Sequence, residues 1–333
     1  MNKSGNILVK KVISISLAIV MLATGIVGNN IVTKAGNKVE KKSYIIVAKN
    51  KKVYNKALNV VGERTIADEI KFPNNNMIVA ELSEKEVEEL DNNNDIIIEE
   101  DLEVKANTKM KPRKASKCKG RDNSVAWNLQ MINADKVSVN SEQKVKVAII
   151  DSGVDAISGI EVKERINLVN NQEKDSPFLE DYSGHGTSVA GIITGSKGEN
   201  SIEGIDNNVE LYSAKVLDDN NVAPISRVIE GIYWAIEKEV DVINLSLGTN
   251  VYSPALENAI KQAYAKNIVL VASAGNEGNK VEYPAAFKEV IAVGSVNSKG
   301  EVSESSVIGK EIELMAPGEM IKVVGPLGGV TVA

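Results

Sequence analysis

Five short runs of apolar, largely β-branched residues recur along the later part of the chain, at 145–150, 211–216, 242–247, 268–272 and 290–295. Each is short for a helix and lacks polar alternation, so each reads as a strand covered on both faces. Between them lie stretches of helical length at 186–195 and 225–238, and a third that Ser253 caps with Pro254 in its first turn. Strand and helix in alternation call for a parallel sheet with helices on both sides, a doubly wound α/β fold. With 333 residues, 43% of them hydrophobic and 25% charged, the chain has material for one large core and a smaller second domain.

In such a fold the carboxyl ends of the strands carry the chemistry. The first run ends on Asp151. The only histidine of the chain, His185, follows in Ser183-Gly-His-Gly-Thr-Ser-Val-Ala-Gly191, where glycines admit a second segment of backbone and small residues read as a helix start. A lone histidine is more often a packing residue than a catalyst, but this setting reverses that expectation. A carboxylate that fixes an imidazole tautomer and an imidazole that accepts a proton are two members of a Ser-His-Asp triad, here in the order Asp, His.

Four blocks, Ala148-Ile-Ile-Asp-Ser-Gly153, Gly184-His-Gly-Thr-Ser-Val-Ala-Gly191, Asn244-Leu-Ser-Leu-Gly248 and Ala272-Ser-Ala-Gly-Asn-Glu-Gly278, with Ala316-Pro-Gly318 as a weaker fifth, resemble the subtilisin-like serine proteases in content and order. The resemblance implies a doubly wound parallel sheet of the subtilisin type preceded by a small α+β prosegment. It implies hydrolysis of polypeptides with no cofactor in the catalytic step. By the same resemblance Asp151 and His185 belong to the triad and Asn276 supplies the oxyanion donor. Ser246, Leu247 and Gly248 form a wall of the substrate cleft whose backbone pairs with an extended peptide, with Ala274 and Gly275 as further cleft residues. Glu277 falls at the rim of the pocket for the residue before the scissile bond and Glu282 near its base. Carboxylates there favour Lys or Arg, a specificity suited to trimming leader peptides.

The nucleophile is where the chain departs from the family. Gly-Thr-Ser occurs once, at 186–188 inside the histidine block, and Ser303, Ser305 and Ser306 read as loop residues. Removing the nucleophile costs subtilisin about six orders of magnitude in turnover. The expectation is a catalytic domain, 122–333, that lacks its C-terminal part, leaves apolar sheet surface uncovered and is inactive alone. The competing expectation is a non-catalytic product whose prosegment binds and inhibits a related protease.

The N-terminal half fits a precursor. Lys3, Lys10 and Lys11 precede an apolar run at 12–27, so 1–35 reads as a secretory signal that meets the membrane only during export, giving a secreted or cell-wall-associated protein. Residues 36–107, with strands at 44–48, 77–82 and 96–98 and one capped helix at 83–90, match the prosegment in size and position, which makes it an intramolecular inhibitor. Residues 108–121 hold seven basic and no acidic residues (Lys109, Lys111, Arg113, Lys114, Lys117, Lys119, Arg121), an exposed linker open to activating cleavage. Nucleic-acid binding ranks below that reading, because no aromatics interleave with these charges and 122–333 holds 17 basic against 30 acidic residues, so no nucleic-acid partner is expected. One cysteine, Cys118, allows no intrachain disulfide. Structural calcium at Asp206-Asn-Asn208 or Asp218-Asp-Asn-Asn221 is the metal to test, although neither loop has a defined calcium spacing, so both read as turns.

Overall fold

A computed structural model describes residues 40–62, 76–107, 126–137, 144–155, 159–169, 181–196, 202–325 and 329–332. The segments read as a signal (1–35) and a basic linker (108–121), with Cys118, lie outside the described residues. The elements run β1 (Lys42–Ala48), α1 (Lys51–Val61), β2 (Met77–Leu82), α2 (Glu84–Asp91), β3 (Ile96–Glu100), β4 (Glu103–Ala106), α3 (Trp127–Met131), β5 (Lys146–Asp151), β6 (Val162–Asn167), α4 (His185–Thr194) and β7 (Glu210–Lys215). They continue with β8 (Val222–Pro224), α5 (Ile225–Glu237), β9 (Val242–Leu245), β10 (Leu247–Gly248), α6 (Pro254–Ala265), β11 (Val269–Ser273), β12 (Val290–Val296), β13 (Ile312–Pro317), β14 (Lys322–Val324) and β15 (Val330–Val332). Among the described residues no helix is long and apolar enough to cross a membrane.

The central sheet has the order β13-β12-β11-β9-β5-β7-β6, parallel throughout. After β5 the chain adds β6 and β7 on one side, then β9, β11, β12 and β13 on the other. The strand order therefore reverses at β5, and Asp151 is its last residue. Consecutive residues of β5 face opposite layers. Ile150 joins Val216, Ile229, Ile232, Leu245 and Ile260 in the main core, while Ile149 joins Leu211, Ala190 and Val324 beside α4. Two-sided burial is why the strand runs read as unbroken apolar stretches.

One of those runs needs correction. Residues 242–247 are two strands, because β9 ends at Leu245, Asn244 Nδ2–H donates to Ser246 Oγ (2.9 Å), and β10 leaves the central sheet for another. The edge strands β6 and β13 were not expected. The β6 sequence Val-Lys-Glu-Arg-Ile-Asn is charged, as suits an edge that needs no second apolar face.

At the N-terminal end, β2-β1-β3 form an antiparallel sheet. Ile45 and Val47, with Met77, point into the main core, whereas Ile46 packs with Ile78, Leu82, Ala57, Val61 and Leu90 beneath α1 and α2. The expectation of a single helix here is also corrected. Asn50 caps α1 by accepting Lys52 and Val53 N–H (both 3.1 Å), and Val53, Ala57 and Val61 bury one stripe at a spacing of four. The expected cap of α2 is present: Ser83 N–H and Oγ–H both donate to Glu86 (2.8 and 2.6 Å).

This N-terminal lobe completes two helices of the main body. Pro224, at the start of α5, has no side-chain acceptor for the helix's free N–H groups. Asp101 supplies one, accepting Ser226 N–H (2.9 Å) and Oγ–H (2.6 Å), while Leu102 O accepts Ile225 N–H (2.8 Å). Ser253 caps α6 through Leu256 N–H (3.0 Å) and donates its own proton to Glu99. Two acids of one lobe thus sit at the positive ends of two helices. Just beyond them, β4 lies antiparallel between β10 and β8 as the middle strand of a small sheet.

Asp101→Ala should lower stability by about 1 kcal/mol, seen as a lower denaturant midpoint, and an unmoved midpoint would show the cap to be idle. At the other helix, a Cβ on Gly186 would run into the carbonyl oxygen of Gly153. Gly186→Ala should therefore cost about 1–3 kcal/mol and shift the His185 ring resonances, whereas a fully native spectrum would mean that α4 has room to spare.

Candidate active site

The loop after β5 is tightly held. The Asp151 backbone oxygen accepts Val216 N–H (2.7 Å) and Leu217 N–H (3.1 Å), and the Ser152 oxygen accepts the buried Lys215 Nζ–H (2.8 Å). His185 opens α4 directly after Gly184, whose φ of +76° is open to glycine without a steric penalty. The two side chains meet with Nδ1 of His185 2.6 Å from Oδ1 of Asp151, Asp151 fully buried and His185 7% exposed. A carboxylate on Nδ1 places the ring proton there and leaves the Nε2 lone pair as the base. Burial pushes the imidazole toward its neutral form, but the charge of Asp151, its hydrogen bond and the charge of Asp181 outweigh that and lift the pKa above the ordinary histidine value.

The second group of expected residues surrounds a segment of the chain itself. Leu247 pairs with Ala106 and Gly248 with Lys105, and Ser246 O accepts Asn107 N–H (3.1 Å), so the three residues expected to form a cleft wall lie along an extended segment of the same chain. Just past that strand stands Asn107, whose Nδ2–H donates to Ser273 Oγ (2.9 Å). Beside it lies Glu282, 5% exposed, against the backbones of Gly248 and Gly275. A Cβ on Gly275, which has φ +117°, would come within 2.8 Å of the Glu282 carboxyl carbon. Ala274 holds this wall, donating to Val293 O (2.8 Å) and accepting Glu282 N–H (2.9 Å).

Burial raises the Glu282 pKa. The Asn107 amide opposes the rise, the charge of Glu277 adds to it, and the Glu277 N–H opposes it again. Glu277 itself is exposed, and Asn276 is half-buried in the bend after β11. The structure thus brings Asp151 to His185, and Gly248 and Gly275 to Glu282. Among the described residues Asn276 takes no part in these hydrogen bonds.

Ser188, Ser303, Ser306 and the two Asp/Asn loops make hydrogen bonds of their own. Ser188 lies on α4 and donates to Gly184 O (2.8 Å) and Val324 O (2.7 Å). Ser303, Ser305 and Ser306 sit between β12 and β13, where Ser303 and Ser306 hydrogen bond to Ser295. Asp206 Oδ1 accepts Asn208 N–H (2.8 Å), and Asp218 Oδ1 accepts the N–H groups of Asn220 and Val222 (2.9 and 3.0 Å). Both carboxylates close turns, and among the described residues no group of three His, Cys, Asp or Glu is placed to hold a metal ion.

Sequence reasoning missed Asn107, Ser152 and Asp181. The last had a signal, an acid three residues before a glycine that opens a helix and so brings no cap of its own.

The profile of the Subtilase family (Peptidase_S8) matches residues 142–331. Subtilisin J of Geobacillus stearothermophilus is 32% identical over 327 residues, covering 95% of this chain and 82% of that protein. An intracellular serine protease of Paenibacillus polymyxa is 37% identical over 217 residues, 62% of this chain and 66% of the relative. The minor extracellular protease Epr of Bacillus subtilis is 35% identical over 204 residues, 60% of this chain but 31% of the relative. The chain thus spans less than two thirds of the latter two proteins. The match over more than half of the chain and the parallel sheet whose strand β5 ends on Asp151 agree, and the chain belongs to the subtilase family of subtilisin-like serine proteases.

Proposed function

We propose that Asp151 and His185 are the proton-handling pair of a secreted endopeptidase, and that residues 36–107 are its built-in inhibitor. The observation that carries the reading is the buried 2.6 Å contact that frees Nε2 to act as a base. In that role Nε2 takes the proton of a serine hydroxyl as its oxygen bonds to the peptide carbonyl carbon. The charge on the ring is balanced by Asp151, and the same proton passes to the leaving amine as the C–N bond breaks. Asn276 would donate to the developing oxyanion. Export rests on the N-terminal lysines and apolar run, since the relatives' names include both intracellular and extracellular proteases.

Among the 333 residues the string Gly-Thr-Ser occurs once, and its Ser188 hydroxyl is taken up by backbone carbonyls. We assign no residue of this sequence as the nucleophile. A fluorophosphonate probe should leave the 333-residue polypeptide unlabelled, and a labelled serine located by peptide mapping would overturn that assignment.

The strand at β4 supports inhibition by occupancy. A substrate taking its place would pair with β10 and β8 and set the side chain before the scissile bond where Asn107 stands, beside Glu282. A carboxylate there selects Lys or Arg by charge, and because its pKa is raised the preference should strengthen as pH rises through that value. In an enzyme carrying the nucleophile, Arg and Lys substrates should exceed Phe and Leu by at least about tenfold in kcat/KM, equivalent to ~1.4 kcal/mol. Glu282→Gln should erase the difference. A preference for Phe or Leu in the parent enzyme would sink the specificity.

His185 also carries a pH signature. Its folded pKa lies above the unfolded value of about 6.5, so its contribution to stability is complete below that value and is lost as pH rises through the folded one. Asp151→Asn should flatten the stability profile across that window in denaturant titrations. A profile that keeps its slope would mean that the pair does not bind the proton as described.

A further inference from the structure

A second carboxylate lies beside the pair. Asp181 is 1% exposed and precedes α4 by one turn of chain. Its Oδ1 accepts Ser152 Oγ–H (2.8 Å), Gly184 N–H (2.8 Å) and Ser183 Oγ–H (3.1 Å), and its Oδ2 accepts Thr187 N–H (2.8 Å). Asp181 therefore caps the histidine helix, which begins at a glycine with no side chain to do so. Its own N–H donates to Asp155 Oδ1 (3.0 Å), and Asp155 N–H donates to Thr187 Oγ1 (3.0 Å), so the loop after β5 and the start of α4 are laced together.

Ser152 is the hinge of this arrangement. Its N–H donates to Asp151 Oδ1 (2.7 Å), and its hydroxyl oxygen accepts Gly186 N–H (3.0 Å). The hydroxyl has one proton and two carboxylates in reach, Asp181 at 2.8 Å and Asp151 at 3.2 Å. The shorter contact takes the proton. Asp151 Oδ1 is then left to the Ser152 N–H and to His185, with no third donor drawing on its charge.

We propose that Asp181 is a positioning residue for the Asp151–His185 pair, holding the Ser152 hydroxyl proton away from Asp151 and pinning the first turn of α4. With Asp181 uncharged, that proton swings to Asp151 and competes with the imidazole for the same oxygen. The charged groups around His185 are Asp151 at the end of β5, Asp155 beyond it, Asp181 before α4 and Lys215 at the end of β7. The charge of Asp181 is among the influences that raise the His185 pKa, which agrees with the geometry.

The proposal rests on the pair being the catalytic one, but its test reads the pair directly. Because His185 is the only histidine, ring-¹⁵N labelling gives one imidazole to titrate by NMR in the 333-residue chain. Asp181→Asn should lower the titration midpoint and move the Nδ1–H resonance. In a Ser152→Ala background the same substitution should do less, because no hydroxyl remains to swing; this is a double-mutant cycle. Equal shifts in both backgrounds would reduce Asp181 to a distant charge, and no shift would reduce it to a helix cap; either overturns the proposal. If Asp181→Asn fails to fold, Asp181→Ser takes its place: a serine can still cap α4 but carries no charge to hold the Ser152 proton, so the midpoint should again fall, and an unmoved midpoint overturns the idea. Asp151→Asn separates the two readings, for if it leaves His185 unchanged the pair itself is at fault.

Discussion

The site depends on a backbone-to-backbone approach. α4 can present His185 to Asp151 only because its second residue, Gly186, lies against the carbonyl of Gly153 with no side chain between them. Any larger residue would hold the helix off and lengthen a 2.6 Å contact that tolerates little change. The loop on the other side is equally fixed, by two N–H groups on the Asp151 carbonyl and a buried lysine on the next one. Geometry at the pair is thus set by main-chain constraints on both sides, with the side chains as the last link.

Those constraints decide what could be read from the sequence. Glycines flanking His185 and an aspartate ending an apolar run are local patterns, and both residues stand where the patterns put them. Glu282 beside Gly248 and Gly275 was legible only through the family resemblance, because the contact joins segments far apart in sequence. The role of Ser152 was not legible, since a hydroxyl shared between two carboxylates depends on distances that no spacing encodes. The charged strand β6 and the short β10 escaped for a different reason. Strand patterns report burial, and an edge strand or a two-residue strand buries too little to leave one.

The N-terminal lobe repeats the logic of the main sheet on a smaller scale. Its β1 is apolar on both faces because one face rests on α1 and α2 and the other on the main core. Where α5 starts without a side-chain cap of its own the lobe provides Asp101, and at α6 the lobe's Glu99 accepts the proton of the capping Ser253. Both are buried enough that desolvation raises their pKa values, with the serine hydrogen bonds opposing the rise. The lobe is attached by apolar contact and by charges placed at the two positions where helix dipoles favour them.

The middle position of β4 has a consequence for competition. Both of its edges are taken, by β10 and by β8, and it is carried on a lobe covalently continuous with the rest of the chain. A tethered strand meets its own edges at an effective concentration on the order of millimolar. A free peptide at micromolar concentration and of equal intrinsic affinity is outnumbered about a thousandfold, and raising its affinity modestly changes little. If peptides bind where we propose, access to the cleft is governed by the lifetime of the covalent connection rather than by the strength of any one contact, and cutting the chain between lobe and body would turn a permanent occupant into one that dilution can remove.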